Sequence, residues 1–361
     1  MGIALAVHSI SLKWPPIIRD ELRDPLSPQL TATSGRRGRV SFSERFRRRA
    51  KPDEDLAKKM TPNPFLPRTL AFLLMLLTGD ALAGPMNLDD YMALNGPAPT
   101  AHVAYGRAPS QYAELFLPSG KGPFPVVVLV HGGCWNSKFG GIVQMRHMAG
   151  ELQKRGVAVW NVEYRRLDEE SGGYPGTFRD MNAAMNELRA VAAARGLDLT
   201  RLVAVGHSAG GQLVQWLAGR PRIPAQSLLH EARPVPVRHV VSLGGLADLR
   251  HERALIRQTC DTNVDDLTGK PSTGRTDVFS DTNAAALTPN GSSTVLITGE
   301  LDDISPPRVA RDYARMAQGK GDDAKVVIVP GASHYDEVST KSAVWPEVWK
   351  AVASGLGIHP N

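Results

Sequence analysis

The chain has 361 residues, 42% of them hydrophobic, with 42 Lys+Arg against 36 Asp+Glu and only two cysteines. At roughly 150 residues per domain, that length allows one large or two ordinary domains with ample core. The composition excludes a collagenous chain, a disulfide-dense mini-protein and wholesale disorder. The formal charge of +6 is confined to one end: residues 1–59 hold 13 Lys+Arg and 7 Asp+Glu, while the remainder balances at 29 of each. Basicity therefore says nothing about the body of the protein, and no nucleic-acid partner is expected. No apolar run approaches the ~20 residues of a membrane-spanning helix, so no stable membrane span is expected either.

Residues 1–59 read as a disordered basic extension, with Pro15, Pro16, Pro25, Pro28 and Pro52 and a cluster of arginines from Arg36 to Arg49. From Met60 the pattern changes. One basic residue (Arg68) precedes an apolar stretch at 70–77, followed by Gly79 and the small-x-small tripeptide Ala81-Leu82-Ala83. Charge, short apolar core and small-residue site in that order are the pattern of a secretory signal peptide. Signal peptides have short charged leaders, so a 59-residue preamble is out of place. Translation is expected to begin at Met60, with cleavage after Ala83 and a single domain over 84–361. The alternative is a buried helix or a weak anchor. Export to the periplasm or beyond would place Cys134 and Cys260 in an oxidising compartment.

From about residue 100, β-like and helix-like segments alternate, which points to an α/β domain with a mostly parallel sheet covered by helices on both faces. Strands are expected at 112–117, 126–130, 157–164, 202–205, 239–243, 294–298 and 325–329. The run Val126-Val127-Val128-Leu129-Val130 carries the mark of a strand buried on both faces. Helices are expected at 141–155, 178–194, 208–217, 307–317 and 345–354. Residues 246–292 lack periodicity and are rich in Asp, Thr, Asn and Gly. They are expected to form a small insertion or cap over one end of the sheet.

Four loops after strands carry the chemistry. Gly206-His207-Ser208-Ala209-Gly210 fits G-x-S-x-G between a strand and a helix, where a tight turn lets a serine project and the helix N-terminus offers an N–H, that of Ala209. His131-Gly132-Gly133-Cys134-Trp135 follows the strongest β-run, and its glycines let the backbone turn N–H groups inward. Together, the N–H groups of Gly133, Cys134 and Ala209 form a candidate oxyanion hole. Glu300, Asp302 and Asp303 follow the strand ending at Thr298, and His334 follows the strand ending at Val329. Open α/β sheets place their sites at such carboxyl ends. An acid at Asp302, 94 residues after Ser208, and then His334 give the order Ser, Asp, His.

These motifs resemble the α/β-hydrolase superfamily over about residues 100–355. HGGCW, VEYRR, GHSAGG, GELDDISPP and GASH are similar to the kynurenine formamidase-like and bacterial esterase/lipase branch. GHSAGG and the G-x-x-D-x-x-x-P loop also resemble the catalytic domain of prolyl oligopeptidases, although this chain has no room for their propeller. The resemblance implies an α/β-hydrolase fold and puts the triad acid on Asp302 rather than Asp303. Cys134 stands where the family more often has Gly or an aromatic residue.

The expected chemistry is acyl transfer, with Ser208 as nucleophile, His334 as base and Asp302 as orienter. Such a site needs no metal or organic cofactor, and HExxH, CxxC pairs and G-x-G-x-x-G are all absent from the sequence. The expected activity is a carboxylesterase on a small-molecule ester. An arylformamidase-like or peptidase amide hydrolase and a non-catalytic binding protein are the alternatives. Trp135, Tyr164 and Tyr174 are candidates to line the substrate pocket. The two cysteines either pair, closing a loop of 126 residues, or remain as buried thiols.

Overall fold

The computed structural model describes residues 84–359. The extension 1–59 and the candidate signal peptide 60–83 lie outside the described residues. The sheet has eight strands: β1 (Ala101–Ala104), β2 (Tyr112–Phe116), β3 (Phe124–Val130), β4 (Ala158–Val162), β5 (Leu197–His207), β6 (His239–Leu243), β7 (Ser293–Gly299) and β8 (Asp323–Val329). Their spatial order is β1-β2-β4-β3-β5-β6-β7-β8. β1 and β2 pair antiparallel, as do β2 and β4. All other pairs, from β4 through β8, are parallel. This is the α/β-hydrolase fold.

Strand β3 shows why the sheet sits between two helical layers. Val126, Val128 and Val130 point into one apolar cluster, and Val127 and Leu129 into the other. A strand's period of two divides its side chains between the faces in this way, so a continuous apolar run needs cover on both. On the first face lie α3 (Gly176–Arg195), α4 (Ala209–Gly219) and α7 (Pro307–Gly319), which contribute Phe178, Leu213, Trp216 and Tyr313. On the second lie α2 (Arg146–Lys154) and α8 (Trp345–Leu356), through Met148, Leu152, Val348 and Val352. Each such aliphatic side chain, fully buried, contributes about 1.5–3 kcal/mol. α3 stops where Gly196 turns left-handed at φ 63°, and its N–H reaches back to Ala192 and Ala193.

Three expectations need correction. The stretch expected as one helix over 141–155 is a 3₁₀ turn, Ile142–Met145, leading into α2, because Gly140 and Gly141 break the first turn. Strand β1 was not anticipated; its four residues, Ala-His-Val-Ala, sit half-exposed at the sheet edge and carry no apolar run. The segment 246–292 is more ordered than its composition implies. It contains α5 (Arg253–Cys260) and α6 (Val264–Thr268), and its Ile256, Cys260, Val264 and Leu267 join the apolar cluster of the first face.

Candidate active site

Ser208 stands alone between β5 and α4, with φ 53° and ψ −117°. A side chain at positive φ is strained by about 1–3 kcal/mol. The Ser208 N–H holds the turn by donating to Leu243 O at 2.8 Å, on the neighbouring strand β6. Glycines are needed on both sides because backbones meet there. A Cβ at Gly206 would come within 2.2 Å of Gly210 O, and one at Gly210 within 2.3 Å of Val130 O.

His334 follows β8, and its Nδ1 lies 2.8 Å from Asp302 Oδ2. Asp302, after β7, also accepts the backbone N–H groups of Ile304 (2.9 Å) and Ser305 (2.7 Å) on Oδ1. Burial pushes its carboxyl up, but the His334 imidazole and these donors outweigh that and hold it below the usual carboxylate range. Asp303, beside it, is exposed and its side chain makes no hydrogen bond among the described residues. Ser208, Asp302 and His334 are 2%, 3% and 3% exposed, so water has little access to them. Ser208 Oγ forms no hydrogen bond to His334 among the described residues, but both side chains line one small cavity. Catalytic hydrogen bonds in ligand-free sites are often long and tighten when substrate binds.

The loop after β3 forms the opposite wall. Gly133, Cys134 and Trp135 have φ 99°, 52° and 54°, three left-handed residues in succession. Their carbonyls are all taken: Asn136 N–H donates to Gly133 O at 2.8 Å, Thr262 Oγ1 to Cys134 O at 3.2 Å, and Leu167 N–H to Trp135 O at 2.8 Å. The N–H groups of Gly133, Cys134 and Ala209 donate to no protein group among the described residues. Gly133 and Cys134 line the cavity with Ser208, while Ala209 is fully buried behind it as the first residue of α4. Cys134 is disulfide-bonded to Cys260, the last residue of α5, with their Cα atoms 5.4 Å apart.

The VEYRR motif braces this loop from below. His131 Nε2 lies 2.7 Å from Glu163 Oε1, and its ring stacks on Tyr164 with centroids 4.4 Å apart. The Tyr164 hydroxyl donates to His131 O at 3.1 Å. Arg165 pairs with buried Asp180 through two N–H donors, at 2.8 and 2.7 Å, locking the motif to α3.

The pocket expectation is corrected. Trp135 is fully buried because its left-handed backbone turns the ring into the core, and Tyr164 is held under His131. Tyr174 lies under the Arg275 guanidinium, 3.6 Å from ring centroid to Cζ, and lines a different cleft. Neither that cleft, of about 550 Å³, nor a second of about 690 Å³ is lined by Ser208, Asp302 or His334. The cavity at Ser208 is much smaller, about 40 Å³.

Sequence reasoning missed two buried neighbours of the imidazole. Glu337, three residues beyond His334, accepts Gly299 N–H on Oε1 at 2.8 Å. Its Oε2 lies 3.9 Å from both His334 Nδ1 and His207 Nε2. Burial, reinforced by the Asp302 charge, pushes its carboxyl well above the usual range, so it is held protonated. His207 donates from Nε2 to His334 O at 3.0 Å, and burial followed by the neighbouring His334 pushes its pKa well down, keeping it neutral. The only local signal for Glu337 is its spacing from the histidine, and acidic residues at that spacing are common.

Comparison with solved structures finds esterases with the same fold. Esterase B from Lactobacillus rhamnosis HN001 matches with a TM-score of 0.62 and 17% identity, over 80% of this chain and 94% of that one. A truncated carbohydrate esterase from gut microbiota matches with a TM-score of 0.59 and 17% identity, over 76% and 100%. Esterase 2 of the planctomycete Thermogutta terrifontis matches with a TM-score of 0.54 and 17% identity, over 71% and 91%. At such identities the likeness establishes the fold. Comparison with curated protein sequences returned no match. The BD-FAE family model matches residues 114–315, more than half of the chain, a span that includes Ser208 and Asp302 and stops short of His334. The chain is a member of the BD-FAE family.

Proposed function

We propose that this protein is a serine hydrolase that cleaves a carboxylic ester through an acyl-enzyme on Ser208. The observation that carries the reading is the buried Asp302–His334 pair, 2.8 Å apart, sharing one cavity with a strained Ser208 and the free N–H groups of Gly133 and Cys134. His334 Nε2 takes the Ser208 proton as Oγ attacks the ester carbonyl. The proton then passes to the departing alcohol, and water activated by the same imidazole releases the acid. Asp302 stays ionised, fixes the tautomer that leaves Nε2 free, and stabilises the imidazolium. The N–H groups of Gly133, Cys134 and Ala209 receive the developing oxyanion, where each donor is worth roughly 3 kcal/mol. The structural neighbours are described as esterases, which supports an ester substrate. The Cys134–Cys260 bond supports export, since such bonds persist in oxidising compartments.

Purified protein should be assayed on p-nitrophenyl esters and on N-formylkynurenine. Ester turnover that Ser208→Ala lowers by about 10⁶ is expected, because triad members act as a unit. Faster turnover of N-formylkynurenine than of any ester would move the substrate class to amides. Retention of most activity in Ser208→Ala would overturn the mechanism.

A further inference from the structure

His131, at the end of β3, makes a hydrogen bond with each of its ring nitrogens, and both partners are acceptors. Nδ1 lies 2.7 Å from Gly132 O, and Nε2 lies 2.7 Å from Glu163 Oε1. A backbone carbonyl can only accept, so Nδ1 carries a proton. Glu163 Oε1 also accepts the Tyr164 N–H at 3.0 Å, and Oε2 accepts that of Ile142 at 3.4 Å. Burial pushes the Glu163 carboxyl up, but the His131 ring, Arg166 and the Tyr164 N–H outweigh that and hold it below the usual carboxylate range. An ionised carboxylate also only accepts, so Nε2 carries a proton as well. A neutral imidazole has one ring proton to give, and these two partners take two.

The surroundings suit a cation. The ring lies flat on Tyr164, 10° from parallel with centroids 4.4 Å apart, and an aromatic face attracts positive charge. Behind Glu163 the charges alternate: Arg166 Nη2 is 3.7 Å from Glu163 Oε1, and Arg166 Nε is 3.5 Å from Glu169 Oε2. His131 is the positive end of this row, next to the oxyanion loop. Water is kept from the pair. The His131 ring is fully buried and the Glu163 side chain nearly so. The Gly141 backbone lies on the carboxylate, where a Cβ would come within 3.0 Å of Glu163 Oε2. Gln144 holds that backbone, its Oε1 accepting the Gly141 N–H at 2.8 Å. Its Nε2 donates at 3.3 Å to Met92 O, at the end of a short helix, α1 (Leu88–Met92). With water excluded, a charge here is weakly screened.

The carbonyl that His131 holds belongs to the same peptide as the Gly133 N–H. In a trans peptide the two point in opposite directions, so the ring behind the loop and the free donor in front of it share one amide. That amide is pressed against the serine turn, since a Cβ on Gly132 would come within 2.9 Å of the Ser208 Cβ. A charged donor makes a hydrogen bond about twice as strong as a neutral one, and successive hydrogen bonds polarise one another. We propose that His131 is a buried imidazolium, kept charged by Glu163, which acts through the Gly132–Gly133 peptide to strengthen the Gly133 oxyanion donor. His131 and Glu163 are then positioning residues of the ester hydrolysis. This rests on Ser208 being the nucleophile. No proton leaves His131 in the reaction; its charge is in place before the oxyanion forms.

The test has two readouts. The first is nitrogen-15 NMR of the histidine rings in the wild type at the pH of the ester assay, with His131 assigned by its loss in His131→Asn. Both His131 nitrogens should be protonated; a pyridine-type nitrogen on that ring would overturn the proposal whatever the variants do. The second is kcat and KM on p-nitrophenyl acetate. In Glu163→Gln an amide oxygen still accepts the His131 Nε2–H and the Tyr164 N–H but carries no charge, so the ring keeps one proton and releases Gly132 O. The kcat should fall by about tenfold or more, below the 10²–10³ of a lost oxyanion donor, with KM within about threefold. His131→Asn places an uncharged amide donor near Gly132 O and should show the same loss, which decides the matter if Glu163→Gln does not fold. A folded variant with kcat within about threefold of wild type, or a loss confined to KM, would show a brace of shape alone and refute the assignment. Failure of the serine mechanism is separately visible, as turnover that survives in Ser208→Ala, and the NMR result does not depend on it.

Discussion

The Cys134–Cys260 bond joins the loop whose N–H groups face Ser208 to the helical insertion after β6, across 126 residues of chain. In the chain-entropy treatment, a crosslink closing n residues lowers the entropy of the unfolded chain by about 2.1 + 1.5R ln n cal/mol/K. For this loop that is roughly 16 cal/mol/K, or about 5 kcal/mol at 25 °C. Residual structure in the unfolded chain reduces the effect, so a loss of about 3–5 kcal/mol is expected. Cys134→Ala/Cys260→Ala removes the bond without leaving a reactive thiol. The assay is urea unfolding of the double variant beside oxidised and reduced wild type, followed by tryptophan fluorescence. The double variant and the reduced protein should fall together, well below the oxidised protein. Activity should fall by less than the ~100-fold of a lost oxyanion donor, because Asn136, Thr262 and Leu167 still hold the three carbonyls behind the loop. A stability change under about 1 kcal/mol, or two free thiols titrating in the native protein, would refute the reasoning.

Three further outcomes are expected. Asp302→Asn should lower kcat by about 10⁴, since the amide favours the wrong tautomer of His334, while Asp303→Asn, at an exposed position, should stay within about threefold in the same steady-state assay. Gly132→Ala would bring a Cβ to 2.9 Å from both His207 O and the Ser208 Cβ, so kcat should drop by more than about 100-fold while circular dichroism reports a folded protein. Glu337→Gln tests the buried acid. A carboxyl whose folded pKa lies above its unfolded value of 4.5 stabilises the fold below that value and loses the contribution as pH rises toward the folded pKa. The variant should therefore gain stability relative to wild type between pH 5 and 8 in urea titrations, and a difference independent of pH would contradict a protonated Glu337.

Much of this architecture is legible in the sequence, for identifiable reasons. β3 announces itself because a strand buried on both faces is apolar throughout, β6 and β7 by their short β-branched runs, and α3 because twenty residues give more than five turns of periodicity. The loops bearing Ser208, Asp302 and His334 are readable because each lies just past the carboxyl end of a strand that closes on an apolar run, within five residues of its last position. What failed was information that is not local. α5 and α6, at eight and five residues, hold too few turns to show a period, and their apolar faces form only against the Cys134 side of the core. The cavity lining comes from segments as distant as Leu88, Phe139, Thr259, Ile304 and Tyr335, and no window contains two of them. Trp135 and Tyr164 misled because nearness to the oxyanion loop in sequence does not say which way a ring turns. Both point away, and there they brace the loop.

That bracing bears on how the site is held ready. Among the described residues, five other than glycine have positive φ: Cys134, Trp135, Ser171, Ser208 and Asp261. Three of them are in the oxyanion loop or the serine turn, and Asp261 directly follows the cysteine bonded to Cys134. At about 1–3 kcal/mol each, such conformations persist only where surrounding contacts over-determine them. Here the contacts can be named. The carbonyls of Gly133, Cys134 and Trp135 are held by Asn136, Thr262 and Leu167, and Ser208 is pinned through its N–H to Leu243 and its carbonyl to Gln212. Fixing a residue's carbonyl fixes the N–H of the next residue: Gly132 O, 2.7 Å from His131 Nδ1, aims the Gly133 N–H, Gly133 O aims that of Cys134 and Ser208 O that of Ala209, so the free donors are aimed from behind the loop rather than by a ligand in front of it. The donors therefore need no reorganisation when charge develops on a bound carbonyl, which is the condition under which they contribute most.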